Sequence, residues 1–174
     1  TVSVGSAWGD SASGATSVFT GHNVYGGVIS VALPPDPGFA EGQEYETFLE
    51  YMRARGRASG VITTKHLNDA TPAAFAGHDA SRFSNVPLLE DIFQRSGLDL
   101  IWGGRATSYA MTPAWATSNG YAVVTNRTQW LALPETGSVT RSCALFGYDT
   151  MRYEYDGMAD QPHLSELTAK ALRL

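Results

Sequence analysis

The stretch 9-GDSASGATSVFTG-21, close to the start of the chain, decides how the rest of the sequence is interpreted. An acidic residue and a serine are followed by small, uncharged side chains, a pattern that predicts a tightly packed helix from Ser11 to Thr20 with Gly21 as its C-cap. A serine in the first turn lies beside free N–H groups and the positive end of the helix dipole, which favours a phosphate group. The alternative is that Asp10 or Ser11 is only an N-cap. From this stretch alone, the cap is the favoured interpretation.

Composition bounds the class of protein. The 174 residues are 43% hydrophobic and 17% charged, which predicts one folded domain over residues 1–174. The formal net charge of −5 argues against a partner that is nucleic acid or an anionic membrane, since both require a clustered basic surface. The single cysteine, Cys143, excludes a disulfide within the chain and a cysteine-based zinc knuckle.

Hydrophobic periodicity predicts an α/β fold with a parallel sheet, because amphipathic helices alternate with short apolar strands. Strands are predicted over residues 1–8, 60–64, 98–104, 119–126 and 143–149, and a surface turn over the proline-rich residues 34–38. Helices are predicted over residues 11–20, from 44 to just before Gly56, and over 72–81, 86–96, 129–133 and 163–174.

Three short motifs then occur in order: 10-DSASGAT-16, 69-DATPAA-74 and 78-HDASR-82. Together they resemble the alkaline phosphatase family. Looser similarity continues through 101-IWGGRATSY-109, 143-CALFGYDTMRYEYD-156 and 163-HLSELTAKAL-172, so the resemblance covers nearly the whole chain. It implies an alkaline phosphatase-like α/β sandwich built on a parallel sheet, which is incomplete in this chain.

The resemblance implies hydrolysis of phosphate monoesters through a phosphoserine intermediate on Ser11, with that hydroxyl activated by coordination to a metal ion. Arg82 would hold two phosphate oxygens in its planar fork, and Asp10 would hold Arg82 in place. Asp69 and Thr71 match the family's octahedral magnesium site, for which hard oxygen ligands are suited. The cofactors implied for the complete enzyme are two zinc ions and one magnesium ion.

The family's zinc-ligand segments are absent from the sequence, and two explanations compete. The chain is a fragment of a longer alkaline phosphatase, which is the favoured explanation, or a domain that has lost catalysis. We therefore expect little or no phosphatase activity from the chain alone. Two other functions stay open: a non-catalytic phosphate- or anion-binding module that uses Ser11 and Arg82, and a structural domain of the same fold.

The expected partners are a phosphate-monoester substrate, inorganic phosphate, and either a second copy in a homodimer or the complementing remainder of the same protein. The family implies a periplasmic or secreted location. Among the other titratable residues, His78 is interpreted as structural and Asp79 as a solvated acid.

Overall fold

The structure is a computed structural model, and it describes residues 9–33, 38–106, 111–135 and 141–174. The strand predicted over residues 1–8 and most of the turn predicted over 34–38 lie outside these ranges. The described chain forms two compact units: a first unit from residues 9–57 and 68–96, and a second unit from residues 58–67 and 97–174. That both belong to one domain over 1–174 stays a prediction.

The second unit contains a four-stranded, wholly parallel sheet, which confirms the predicted α/β class. Its strands lie in the order β1-β2-β4-β3, so the chain crosses over between neighbours as parallel pairing requires. The strands are β1 (Gly60–His66), β2 (Leu100–Gly104), β3 (Ala122–Val124) and β4 (Ser142–Phe146). The helices are α5 (Pro113–Ser118), α6 (Arg127–Leu131) and α7 (Leu164–Ala171), with a 3-10 turn at Glu154–Asp156.

The core of the second unit lies on the two central strands. Every residue of β2 and β4 is buried, as is typical of parallel strands covered on both faces. Trp102 on β2 and Phe146 on β4 are fully buried and share one apolar cluster with Trp130 of α6 and Leu167 of α7. These contacts bind α6 and α7 to the sheet.

The first unit contains the helices that carry the motif residues. They are α1 (Ser11–Thr20), α2 (Phe48–Arg53), α3 (Ala70–Ala73) and α4 (Asn85–Glu90), which continues as one π-helical turn over Asp91–Arg95. α1 has the predicted bounds and ends at Gly21, whose φ of 79° is accessible to glycine without strain. In the described ranges of both units, no helix is long and apolar enough to cross a lipid bilayer.

Two helix predictions were wrong for identifiable reasons. The helix predicted over 72–81 is present only as Ala70–Ala73, and it cannot extend to residue 81 because residue 79 pairs instead with Ile29 in an isolated antiparallel bridge. The helix predicted from Glu44 begins at Phe48, because Thr47 caps it by accepting from the backbone amide of residue 50 at 3.3 Å. A further helix, α5, was not predicted at all, although Thr112 followed by a proline is a good start signal.

Candidate functional site

One arginine side chain connects three of the motif residues in the first unit. Arg82 Nη1 donates hydrogen bonds to Asp10 Oδ2 at 3.0 Å and to Ser11 Oγ at 2.8 Å. Arg82 Nη2 donates to Asp69 Oδ1 at 3.2 Å. Thr71, by contrast, lies exposed on α3, and among the described residues the guanidinium bonds to the other three and not to Thr71. The fold therefore brings four of the five proposed site residues into one hydrogen-bonded cluster.

The backbone around Arg82 is fixed by a short extended segment. The Arg82 amide donates to the Gly27 carbonyl at 2.6 Å, and the Gly27 amide donates to Asp10 Oδ1 at 3.0 Å. Two residues after Gly27 and three residues before Arg82, Ile29 and Asp79 exchange two backbone hydrogen bonds of 2.9 Å. The start of α1 and the segment that carries Arg82 are thus both attached to residues 27–29.

Asp10 has two structural roles at once. Its Oδ1 accepts from the Ser13 amide at 3.0 Å and so caps α1, while the Ser13 hydroxyl accepts from the Asp10 amide in return. Its Oδ2 binds Arg82. Burial alone would raise the pKa of Asp10, but hydrogen bonds from the amides of Ser13 and Gly27 and from Arg82 outweigh burial and hold that pKa well below its ordinary value. Asp10 is therefore an anion at any physiological pH.

Ser11 is exposed at the first position of α1, where the helix leaves backbone N–H groups free and its dipole is positive. An anion approaching its hydroxyl would also meet the Arg82 guanidinium. Among the residues that the structure describes, none accepts a hydrogen bond from Ser11 Oγ, so no general base is in place. The hydroxyl needs activation from another source before it can act as a nucleophile.

The described residues fit a metal ion only in part. Asp69 and Thr71 offer a carboxylate and a hydroxyl, the kind of hard oxygen donor that magnesium prefers. Yet nowhere in residues 9–33, 38–106, 111–135 and 141–174 do three or more His, Cys, Asp or Glu side chains form a group able to hold a metal. Two donors fill a third of an octahedral site at most, and the described residues do not by themselves hold a zinc pair.

The charges of the cluster follow from its members. Two carboxylates surround one guanidinium, since Asp10 and Asp69 both pair with Arg82. The site therefore has a net negative charge, and the Asp69 carboxylate competes with an incoming anion for Arg82 Nη2. Neutralising Asp69 would release that half of the guanidinium fork.

Asp79 is a residue whose importance the sequence interpretation missed. It was interpreted as a solvated acid, but its Oδ1 accepts from the Ser81 amide at 2.7 Å and from the Ser84 hydroxyl at 2.7 Å. Both donors belong to the turn that carries Arg82. Aspartate two positions before a serine in a non-helical segment is a typical turn signal and could have indicated this role.

His78 is buried, with 3% of its side chain exposed, and lies in a structural hydrogen-bond network. Its Nε2 is 3.0 Å from the Tyr45 carbonyl oxygen and 3.5 Å from Glu50 Oε2, so it donates towards both. Burial lowers the pKa of His78, but the Glu50 carboxylate more than compensates and raises it above the ordinary value. Burial likewise opposes ionisation of Glu50, yet bonds from His78 and Thr47 lower the pKa of Glu50 to about 2.

Comparisons with known proteins agree on one family. The family model for alkaline phosphatase matches residues 1–91, just over half of the chain. Alkaline phosphatase 3 of Bacillus subtilis is 26% identical over 173 residues, which cover 94% of this chain and 35% of that protein. Alkaline phosphatase of Escherichia fergusonii is 27% identical, with 88% of this chain and 39% of that protein covered. The chain thus spans somewhat more than a third of the length of these relatives.

Solved structures give the same result. The cold-active alkaline phosphatase from Shewanella sp. superposes with a TM-score of 0.82 at 29% identity, covering 99% of this chain and 40% of that one. The alkaline phosphatase of the Antarctic bacterium TAB5 shares the fold, with a TM-score of 0.76 at 24% identity and coverages of 97% and 48%. A mutant of that protein has Mg bound in its M3 site. From the family model, the relatives and the shared fold, this chain belongs to the alkaline phosphatase family.

Proposed function

We propose that this chain supplies the nucleophile and the phosphate-binding arginine of a phosphate-monoester hydrolase. The observation that carries the proposal is that one nitrogen, Arg82 Nη1, bonds both the Asp10 carboxylate and the Ser11 hydroxyl. A guanidinium that binds non-bridging phosphate oxygens from this position would place the phosphorus beside Ser11 Oγ. Positioning and charge compensation of this kind account for most of phosphoryl-transfer catalysis.

In the proposed reaction, Ser11 Oγ attacks the phosphorus and loses its proton while the ester oxygen of the substrate leaves as an alcohol. The resulting phosphoserine is then attacked by water, which releases inorganic phosphate and returns the serine. Arg82 compensates the charge of the equatorial oxygens, and Asp10 fixes the guanidinium. When bound, metal ions would supply the activation of the hydroxyl that the described residues lack.

The proposed cofactors of the complete enzyme are two zinc ions and one magnesium ion. Asp69 and Thr71 are proposed as magnesium ligands, and Ser11 as a group in contact with zinc. Since the described residues offer too few ligands for a complete site, we propose that the isolated chain has little or no turnover. The remaining ligands would come from the rest of the same protein or from a second copy in a homodimer, in a periplasmic or secreted enzyme.

Binding of inorganic phosphate to the 174-residue chain, followed by ³¹P NMR, tests the site. We expect Arg82→Ala to weaken binding at least tenfold, because a charge-assisted hydrogen bond contributes about 1.5–3 kcal/mol. Arg82→Lys should recover only part of the loss, since lysine lacks the planar fork. Ser11→Ala should still bind phosphate. Equal phosphate affinity in the wild type and Arg82→Ala would refute the proposed site.

Catalysis is tested separately with p-nitrophenyl phosphate, zinc and magnesium. We expect no sustained release of p-nitrophenol by the chain alone, and any phosphoryl group found by mass spectrometry should be on Ser11. Robust turnover that Ser11→Ala abolishes would disprove the proposed inactivity while supporting the nucleophile. Phosphorylation of a different serine would refute the assignment of Ser11.

A non-catalytic anion-binding module is the second candidate, favoured by the absence of a base bonded to Ser11 among the described residues. It requires Arg82-dependent phosphate binding and no phosphoserine when the missing zinc ligands are supplied in a longer chain. A purely structural domain would show neither, and neither phosphate nor magnesium would raise its melting temperature.

A further inference from the structure

The turn that carries Arg82 is organised around a single carboxylate oxygen. Asp79 is paired through its backbone with Ile29, so its own position is fixed. Its Oδ1 accepts from the Ser81 amide and from the Ser84 hydroxyl, each at 2.7 Å. The two donors lie on either side of Arg82 in the sequence. The backbone segment from which the arginine side chain projects is thereby tied at both ends to Asp79.

Fixing this backbone segment is important because an arginine side chain has many rotamers, and the position of its guanidinium is defined only if its Cα is held in place. At its far end the guanidinium is bound by Asp10 and Ser11. At its near end, a hydrogen bond from the Arg82 amide to Gly27 fixes one point of the backbone. Asp79 fixes the residues that precede and follow it.

We propose that Asp79 is a positioning residue for Arg82, holding the turn so that the guanidinium stays over the Ser11 hydroxyl when a phosphate group binds. The inference rests on the proposed phosphate-binding function of Arg82. The inference also predicts the direction in which phosphate affinity changes when Asp79 is substituted. The Asp79 carboxylate binds the turn that carries Arg82, so removing its charge lowers the negative charge of this segment and favours phosphate, whereas removing its acceptor oxygen disorders the turn.

Two substitutions separate these effects. Asp79→Asn keeps an acceptor oxygen and removes the charge, so phosphate should bind as tightly as in the wild type or slightly more tightly. Asp79→Ala removes both, and we expect phosphate affinity to fall about fivefold to tenfold, because loss of the two hydrogen bonds that hold the turn outweighs the gain from removing the charge. Asp99→Ala is the matched control, because Asp99 accepts from the Ser59 amide at 2.9 Å in the second unit.

The readouts are the phosphate dissociation constant from ³¹P NMR, the melting temperature, and hydrogen exchange of peptides that cover residues 80–85. The proposal predicts weaker binding and faster exchange confined to this turn in Asp79→Ala, and neither weaker binding nor faster exchange in Asp79→Asn. Unchanged or tighter binding in Asp79→Ala would overturn it. So would equal losses in both variants, or faster exchange throughout the first unit.

The outcome is distinguishable from failure of the proposed function. If Arg82→Ala binds phosphate as well as the wild type, then the phosphate site itself is refuted. If Arg82→Ala loses binding while Asp79→Ala does not, only the role of Asp79 is overturned. Hydrogen exchange at residues 80–85 reports on the turn without phosphate, and an unchanged rate in Asp79→Ala overturns the inference in either case.

Discussion

Replacing Asp69 with asparagine is expected to tighten the binding of inorganic phosphate to this chain in the absence of metal ions. Asp69 Oδ1 accepts from Arg82 Nη2 at 3.2 Å, so its negative charge competes directly with a phosphate for the guanidinium. Asparagine keeps an acceptor oxygen but removes the charge. The substitution therefore imitates the electrostatic effect of a cation bound at Asp69.

The magnitude follows from the geometry. A phosphate charge at about 5 Å from the Asp69 carboxylate is repelled by about 0.8 kcal/mol in water and about 3 kcal/mol at an effective dielectric constant of 20. The Asp69 side chain is 21% exposed, which places the site between these limits. Relief of about 1.4 kcal/mol corresponds to roughly tenfold tighter binding.

The assay is a phosphate titration by ³¹P NMR or calorimetry in the presence of EDTA, at low and at high salt. The advantage of Asp69→Asn should shrink as salt is added, because the effect is electrostatic. Magnesium should tighten phosphate binding in the wild type and not in Asp69→Asn.

Asp10→Asn is the matched control, since it removes the other carboxylate bound to Arg82. Asparagine still caps a helix, so α1 should be retained, but Arg82 Nη1, the nitrogen that also binds Ser11, would lose its charged partner. This variant should therefore not gain affinity. If Asp69→Asn binds phosphate no more tightly than the wild type, competition for Arg82 is not what limits binding, and the reasoning fails.

Three further outcomes are expected from stability measurements. Because the pKa of His78 is raised in the folded state, its contribution to stability is fully present below pH 6.5 and is lost as pH rises through the folded pKa. The urea midpoint of the wild type should therefore decrease as the pH is raised above 6.5, and that of His78→Gln should not. Its partner Glu50, with a pKa lowered to about 2, stabilises the fold above pH 4.5 and ceases to do so as pH falls towards 2. This loss of stability in acid should be present in the wild type and absent in Glu50→Gln. Gly104→Ala should lower the free energy of unfolding by about 3 kcal/mol or more, because its methyl group would lie 2.3 Å from a backbone oxygen. The added methyl group of Gly14→Ala meets nothing within 4 Å and should stabilise α1 by about 1 kcal/mol. Equal effects of the two substitutions in denaturant unfolding would contradict this.

Helix α1 was predictable because all its determinants are local. Asp10 precedes it, small residues fill it and Gly21 ends it, and each acts within a few positions of itself. The parallel sheet was predictable in class for a similar reason, since apolar strands alternated with helical segments. The strand order β1-β2-β4-β3 was not predictable, because strands that are neighbours in the sheet are distant in sequence.

The helix boundaries that failed were decided by contacts between distant segments. Asp79 leaves the predicted helix because Ile29 offers its backbone hydrogen bonds, 50 positions earlier in the chain. Likewise, Glu44 pairs with Val31 rather than starting α2. Propensity and periodicity contain no information on such pairings.

At the site, the sequence motifs indicated the residues but not their bonds. The cluster of Asp10, Ser11 and Asp69 around Arg82 depends on contacts spanning up to 72 positions. The contact between Arg82 and Asp69 was unexpected, since Asp69 was interpreted as a magnesium ligand only. Thr71, assigned the same role, does not join the cluster, so its role stays a prediction.

The two separate hydrogen-bonding roles of the Asp10 carboxylate constrain how this protein can change over evolutionary time. One carboxylate caps the start of α1 with one oxygen and anchors Arg82 with the other. A mutation here is therefore pleiotropic: a substitution that removes the side-chain acceptor alters both anion affinity and the folding of α1, and asparagine, which still caps a helix, leaves Arg82 Nη1 without its charged partner. Laboratory selection for new specificity should leave this position untouched and accumulate its changes elsewhere, because few variants at residue 10 would survive to be tested for activity.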